Sequence, residues 1–361
     1  MAQSSEGFEA AAINRGRRLL GTDLINARRL PHPRFGQLAT QLYGVKSEAI
    51  ECGLERQRAE GGRLGEILRK QGLLDREQLK GILRTQANWV ARELNKGAPP
   101  ILPFKESFSL CLPAYNEQDN IDDTLDAACA ILPEFVERFE LVVVDDGSKD
   151  QTGLVLARFA EHEPRLRIVT HVENRGYGAA ITSALRSSQG DLVCILDSDG
   201  QFSLLNLPEL LLKTGAADVV IGYRKKRADS PIRLLNAWAW NRLMRVLLGI
   251  AVRDLDCAFK VFRQDTVQNL SLTSRGACIS AEILVQCVRR GLKIVEVPVD
   301  HYSRSHGAPS GAALRVIAKA FRELPHLMKY RWAPVPRESP SRAIDCEAEH
   351  TTERRSETES I

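Results

Sequence analysis

Apolar residues along this chain follow two different periods, and the change between them marks out its architecture. From Phe35 to Leu94 they recur at intervals of three and four, the spacing that lays one apolar stripe along an α-helix. From Phe108 onward they gather into short runs at 108–113, 141–144, 166–171, 192–196 and 219–222, separated by helix-period segments such as 120–132, 153–161 and 177–188. Strands alternating with helices predict an α/β fold: a mostly parallel sheet covered by helices on both faces, preceded here by a small all-helical domain. In such sheets ligands bind at the carboxyl ends of the strands.

The helical region is an internal repeat. Residues 34–57 align without a gap onto residues 63–86, pairing Arg34 with Arg63, Gly36 with Gly65, Leu38 with Ile67, Glu48 with Glu77, Ile50 with Leu79, Leu54 with Leu83 and Gln57 with Gln86. Each copy predicts a helical hairpin, turning at Gly44 or Gly72, with Ser47 or Asp75 able to cap its second helix. The stretch Asn95-Lys-Gly-Ala-Pro-Pro100 has the composition of a linker. The expected layout is therefore an N-terminal arm (1–33), a helical domain (34–94), a linker (95–106), an α/β domain (107–310), a basic amphipathic helix (311–334) and a disordered tail (335–361). Two readings of the basic helix are open, a membrane-surface element and a cap on the α/β domain.

Composition narrows the function classes. With 43% hydrophobic and 27% charged residues among 361, the chain can build a real core. A net charge of +4 is too slight to argue for nucleic acid as a partner. The richest apolar stretch, 234–252, carries Arg242 and Arg245, so no bilayer span is expected, and residues 1–9 lack the pattern of a secretory signal. A cytoplasmic protein with reduced, structural cysteines is the expectation.

The candidate chemistry sits where apolar runs end. Asp197-Ser-Asp199-Gly-Gln201 follows the run 192–196 directly, and two hard carboxylates there suit Mg²⁺ or Mn²⁺ shared with substrate phosphates; a strand-ending turn with solvated aspartates is the plainer alternative. Asp145-Asp146 ends a second run, followed by Gly147, and such carboxylates can accept from a nucleobase N–H and ribose hydroxyls. Leu112-Pro-Ala-Tyr-Asn-Glu117 ends a third, bringing an aromatic face and a carboxylate. The loop Glu173-Asn-Arg-Gly-Tyr-Gly178 precedes a helix, so its amides can meet an anion.

In this order and spacing, Pro113-Ala-Tyr-Asn-Glu117, Asp145-Asp-Gly-Ser148, Asn174-x-Gly176 and Asp197-Ser-Asp199-Gly-Gln201 resemble a family-2 glycosyltransferase of the GT-A fold, over about residues 107–311. Within that family, Val219-Val-Ile-Gly-Tyr-Arg224, Asp254-Leu-Asp-Cys-Ala-Phe-Lys260 and Glu296-Val-Pro-Val-x-His301-x-x-Arg304 are most similar to the branch of dolichyl- and polyprenyl-phosphate sugar synthases. The resemblance implies a UDP- or GDP-sugar donor and inversion at the anomeric carbon. It implies nucleotide binding by Pro113, Tyr115, Glu117 and one of Asp145 and Asp146, and metal and diphosphate binding by Asp197, Asp199 and Gln201. Arg224, Arg233 and Arg304 would grip an acceptor phosphate. Such an acceptor is already ionised and needs no general base; a saccharide hydroxyl would need one, and Asp254 or Asp256 is the candidate. The chain departs from the branch at Gly307-Ala-Pro-Ser310, which lacks a lysine, and at Cys257-Ala-Phe-Lys260, where Ser-Gly-Phe-Arg is common.

The doubled Arg-x-Gly…Gln unit resembles MshEN, the cyclic di-GMP-binding N-terminal domain of pilus and type II secretion ATPases. Carried over, its ligand residues are Arg34, Gly36, Leu54 and Gln57 in the first copy and Arg63, Leu64, Gly65, Leu79, Leu83 and Gln86 in the second. The first copy departs by Phe35 for Leu and Tyr43 for Gly. Together the two resemblances imply a bacterial, metal-dependent transferase regulated by cyclic di-GMP, with a polyprenyl phosphate or glycan acceptor and a membrane surface as partners. The rival reading is a non-catalytic sensor or scaffold built on the same fold.

Overall fold

A computed structural model describes residues 33–96, 102–225, 240, 242–304 and 322–330. The N-terminal arm, Arg233, the departure at 307–310, most of the basic helix and the tail lie outside the described residues. The repeat folds as four helices, α1 (Phe35–Tyr43), α2 (Ser47–Glu60), α3 (Leu64–Lys70) and α4 (Arg76–Leu94), around Leu38, Ala39, Val45, Leu64, Leu68, Leu74 and Ile82.

The two copies use matching residues in matching ways. A Cβ on Gly36 would lie 2.7 Å from Ile50, and one on Gly65 would lie 2.6 Å from Leu79, so each glycine lets the first helix of its copy press against the second. Gln57 Nε2 donates to the Gly62 carbonyl and Gln86 Nε2 to the Pro33 carbonyl, each at 2.9 Å. Each copy's glutamine thus holds the residue just ahead of the other copy's arginine. The caps differ. Asp75 accepts from Gln78 N at the start of α4, whereas α2 begins at Ser47 itself, after Lys46, with no side-chain cap. The expected Ser47 cap is therefore displaced, because the position aligned with Asp75 holds a lysine.

The α/β region forms one seven-stranded sheet in the order β3-β2-β1-β4-β6-β5-β7. Its strands are β1 (Phe108–Ala114), β2 (Phe139–Asp145), β3 (Leu166–Thr170), β4 (Leu192–Ile195), β5 (Val219–Arg224), β6 (Lys260–Arg263) and β7 (Ile294–Val299). All neighbours are parallel except that β6 runs against β4 and β5. The central strands are buried on both sides, which is why they read as unbroken apolar runs. Phe108, Leu110, Leu112, Leu141 and Val143 enter one core; Cys111, Val142, Val144, Val193 and Ile195 enter the other.

Helices cover both faces. On the first lie α5 (Ile121–Ile131), α6 (Thr152–Ala160) and α8 (Leu207–Thr214); on the second lie α7 (Tyr177–Ser187), α9 (Gln264–Gln268) and α10 (Ile279–Arg289). The described part of the basic helix, 322–330, buries Leu324 and Leu327 in the second core, so there its apolar face covers the α/β domain. Among the described residues no helix is long and apolar enough to cross a membrane.

Helix α4 belongs to both domains. Its first half closes the repeat with Ile82, and its second half sends Ala87, Val90 and Ala91 into the first sheet core. Ion pairs extend the seam: Arg69 NH2 lies 2.6 Å from Asp123, and Arg76 forks onto Asp122 at 2.8 and 2.7 Å while also bonding Asp126. A Gly65→Ala protein is expected to lose about 1–3 kcal/mol, because its methyl must displace both Leu79 and Phe35. A lowered midpoint in urea unfolding of the full chain, with the same shift for Gly36→Ala against Ile50, checks the paired role.

Candidate active site

Strand β1 pairs with β2 on one side and β4 on the other, so chain order reverses direction across the sheet at β1. A crevice opens at such a switch point beyond the carboxyl ends of the strands. Three loops meet there: 115–120 after β1, 146–151 after β2 and 196–203 after β4.

The first two loops are laced together. Ser148 Oγ accepts from Asn116 N at 2.9 Å, Asn116 Oδ1 accepts from Lys149 N at 2.8 Å, and Thr152 Oγ1 accepts from Glu117 N at 2.8 Å. Asn116 takes a left-handed φ of 57°, a conformation asparagine tolerates, which turns the chain so that Glu117 faces inward. Its carboxyl accepts from Asn120 Nδ2 at 2.7 Å and from Arg304, while burial pushes its pKa upward. Tyr115 is exposed at the rim, and the Pro113 carbonyl accepts from Ser198 Oγ at 2.8 Å, tying β1 to the loop after β4.

The adjacent aspartates after β2 divide their work. Asp146 Oδ1 accepts from His171 Nδ1 at 2.6 Å and from Arg175 N at 2.9 Å, and its Oδ2 accepts from Gly176 N at 2.8 Å. It therefore holds the loop that leads into α7. Asp145 Oδ1 accepts from Ser148 N at 2.9 Å and shapes its own turn. Gly147, at φ 68°, passes so close to the backbone of Glu173 and Asn174 that no side chain fits.

Asp197 and Asp199 sit just beyond β4 and repel each other. Burial and the Asp199 charge push the Asp197 carboxyl up to about 7, and burial also raises Asp199. Tyr177 donates its hydroxyl to Asp197 Oδ1 at 3.0 Å, and Gln201 N donates to Asp199 Oδ1 at 3.1 Å. Arg304 brings its Nε to 3.8 Å from Asp199 while its NH2 bonds Glu117. Among the described residues no three His, Cys, Asp or Glu side chains cluster as metal ligands. The pair fits a divalent ion that takes its remaining oxygens from a substrate diphosphate: both are hard donors, and their mutual repulsion is relieved by a cation.

The remaining expected residues fall at different distances from this centre. Arg224 forks onto Asp254, Nε to Oδ2 at 2.7 Å and NH2 to Oδ1 at 2.8 Å, so the two are joined as a largely buried ion pair. Asp256 is exposed, and Arg233 lies outside the described residues. Two participants were not singled out from the sequence. Tyr177 was legible only as part of a glycine-containing loop. Lys260 is 1% exposed, donates to the Cys257 carbonyl and to Ser280 Oγ at 3.3 Å, and is pushed below its ordinary pKa by burial. Its signal in the sequence was the departure at Cys257-Ala-Phe-Lys260, a lysine where arginine is common.

The repeat contributes a second concavity. Every residue carried over for cyclic di-GMP lines one cavity of about 600 Å³ between the helical and α/β domains, within the usual range for small-molecule sites. The far wall comes from the α/β domain and includes Asp123, Asn206, Glu209, Asp300 and Tyr302.

The sheet order and flanking helices are those of a GT-A fold, with carboxylates gathered at the strand ends. The pattern described as Glycosyl transferase family 2 matches residues 109–270. A dolichyl-phosphate beta-glucosyltransferase of Trichomonas vaginalis is 31% identical over 252 residues, covering 63% of this chain and 77% of that protein. An undecaprenyl-phosphate 4-deoxy-4-formamido-L-arabinose transferase of Pseudomonas syringae is 33% identical over 223 residues, covering 61% of this chain and 65% of its own length. The structure of glucosyl-3-phosphoglycerate synthase from Mycobacterium tuberculosis with Mn²⁺, UDP and glucosyl-3-phosphoglycerate superposes with a TM-score of 0.50 at 20% identity, over 68% of this chain and 83% of that one, which shows the shared fold. The chain belongs to glycosyl transferase family 2.

Replacing Asp146 by alanine would leave the amides of Arg175 and Gly176 and the imidazole of His171 without their buried acceptor. The expected cost is about 2–4 kcal/mol, from losing hydrogen bonds to a charged group. Thermal unfolding checks it, and hydrogen exchange should localise the loss of protection to residues 171–178.

Proposed function

We propose that this transferase moves a sugar, with inversion, from a UDP- or GDP-sugar to a polyprenyl phosphate, and that its N-terminal repeat binds cyclic di-GMP. The observation that carries the catalytic reading is Arg304: a residue suited to an acceptor phosphate touches both Glu117 and the Asp199 side of the acidic pair. Donor and acceptor groups thereby share one centre, and both sequence relatives are named for sugar transfer involving a polyprenyl-type phosphate.

In this reading Asp197 and Asp199 hold Mg²⁺ or Mn²⁺. When bound, the ion neutralises the nucleoside diphosphate as it leaves. Tyr177 orients Asp197, the Gln201 amide orients Asp199, and Glu117 with Tyr115 and Asp145 receives the nucleoside. Asp254 has both oxygens engaged by Arg224, so it is poorly placed to take a proton from a sugar hydroxyl. That favours an acceptor that arrives ionised. The cyclic di-GMP reading is supported by the shared cavity and by Arg63, whose Nε is buried there without a hydrogen-bond acceptor among the described residues.

Purified protein with Mn²⁺ is expected to move label from a UDP- or GDP-sugar into an organic-extractable lipid, and Asp199→Asn to lower that rate by about 100-fold or more. Nucleotide release without lipid labelling would point to a hydroxyl acceptor. No turnover with any donor would favour the scaffold reading. Protons compete with the metal for the raised Asp197 carboxyl, so Mn²⁺ affinity should climb as pH rises towards 7, by about tenfold per unit, and level off above it. Titration calorimetry in buffers of different ionisation enthalpy would show proton release on binding at pH 6 and little at pH 8. For the repeat, Arg34→Ala should weaken cyclic di-GMP binding by about tenfold, the worth of one charge-assisted hydrogen bond.

A further inference from the structure

The two arginines of the repeat, aligned and chemically identical, do not do the same thing. Arg34 is exposed and reaches the cavity from the helical side only. Arg63 reaches across the seam: its NH2 donates to the Phe202 carbonyl and its guanidinium lies 5.8 Å from the centre of the Tyr302 ring. It also adds a favourable charge to the surroundings of Asp199. Just before it, Gly62 N donates to the Ser303 carbonyl at 3.2 Å, and Gly61 passes so near Ser303 that a Cβ would stand 2.6 Å from its side chain.

Arg63 thus braces the loop that follows the acidic pair, through Phe202, and faces with its guanidinium the Tyr302 ring of a short strap, residues 301–304, laid on that loop. His301 forms an antiparallel bridge with Phe202, Tyr302 N donates to the Gln201 carbonyl at 2.8 Å, and Gln201 Nε2 donates to the Tyr302 carbonyl at 3.1 Å. The strap ends in Arg304, which bonds Glu117 and approaches Asp199. Held down in this way, the strap keeps a guanidinium among the carboxylates that a nucleotide and its metal ion would use. A cation already seated there opposes a second, both by charge and by occupying acceptor oxygens.

We infer that Arg63 is a latch shared by the two sites: an anionic ligand in the seam cavity competes for its guanidinium with the Phe202 carbonyl and the Tyr302 ring, the loop and strap at the donor site, so that filling the cavity frees the donor site. The inference rests on the cavity being the cyclic di-GMP site proposed above. A phosphate oxygen is a stronger acceptor than the neutral Phe202 carbonyl, and the buried Nε of Arg63 offers it a donor that the strap does not use. Coupling of this kind is reciprocal: whatever factor the ligand adds to donor affinity, the donor adds to ligand affinity.

Calorimetric titration of the full chain tests the latch without turnover. UDP and GDP are each titrated in Mn²⁺ buffer, with and without saturating cyclic di-GMP. The nucleotide is expected to bind about fivefold or more tightly in the presence of cyclic di-GMP, and cyclic di-GMP more tightly by the same factor in the presence of nucleotide. Arg63→Met should bring the gain in nucleotide affinity with no dinucleotide present. Tyr302→Leu, which removes the ring beneath the guanidinium and keeps Arg63, should move nucleotide affinity in the same direction and serves if the first variant melts early. Nucleotide affinity unchanged or weakened by cyclic di-GMP, or by a folded Arg63→Met protein, would overturn the latch. If cyclic di-GMP does not bind the unmodified chain, the cavity assignment fails together with its regulatory half, and a tighter-binding Arg63→Met would then uphold the strap restraint alone.

Discussion

The constraint on which the site depends is the crowding of like charges at the carboxyl edge of the sheet. Asp197 and Asp199 are placed side by side by the end of β4, and Glu117 faces them from the end of β1. None of these carboxyls is comfortable ionised, since burial raises the pKa of all three and the two aspartates repel. The protein answers with donors, the Tyr177 hydroxyl, the Gln201 amide and the Arg304 guanidinium, each from a different part of the chain. Such a site favours the arrival of a cation or of a substrate that carries one. Destabilised carboxylates held by a rigid sheet are an arrangement that marks a candidate functional site.

That core is shared. The sheet buries apolar side chains on both faces, and on the face toward α5 it also receives Ala87, Val90 and Ala91 from the last helix of the repeat. The helical domain is thus anchored by apolar contact, with Arg69 and Arg76 on the acidic first turns of α5 as an outer fringe. Away from α4, residues 61–63 of the repeat rest on Ser303 and on the Phe202 carbonyl, beside the acidic pair, through a few polar contacts. The repeat is thus docked by a broad apolar contact along α4 and by a few polar contacts around Arg63.

Much of the fold was legible because burial on both faces writes strands as apolar runs: 108–113, 141–144 and 192–196 match β1, β2 and β4 to within a few residues. Strand β6 escaped, since its four residues Lys260–Arg263 hold only two apolar side chains between two cations. The expected Ser47 cap failed by one position, because an aligned repeat conserves spacing but not the capping chemistry of each copy. For Asp145 and Asp146 adjacency said nothing about roles; only the packing of His171 and the 175–176 amides assigns Asp146 to holding a loop.

Taken alone, the sequence determined what is local or periodic: the repeat and its paired glycines, the alternation of strand and helix, and the acidic pairs at strand ends. These follow from side-chain spacing along one backbone, which a linear pattern records. The tertiary structure alone decided which loops meet at the switch point, that Arg224 turns to Asp254, and that Arg63 rather than Arg34 reaches the transferase. Contacts such as Arg63 to Phe202 or Arg304 to Glu117 join residues far apart in the chain. No period links them, and they exist only because the helical domain is docked on one face of the sheet and the strap is folded back over its edge.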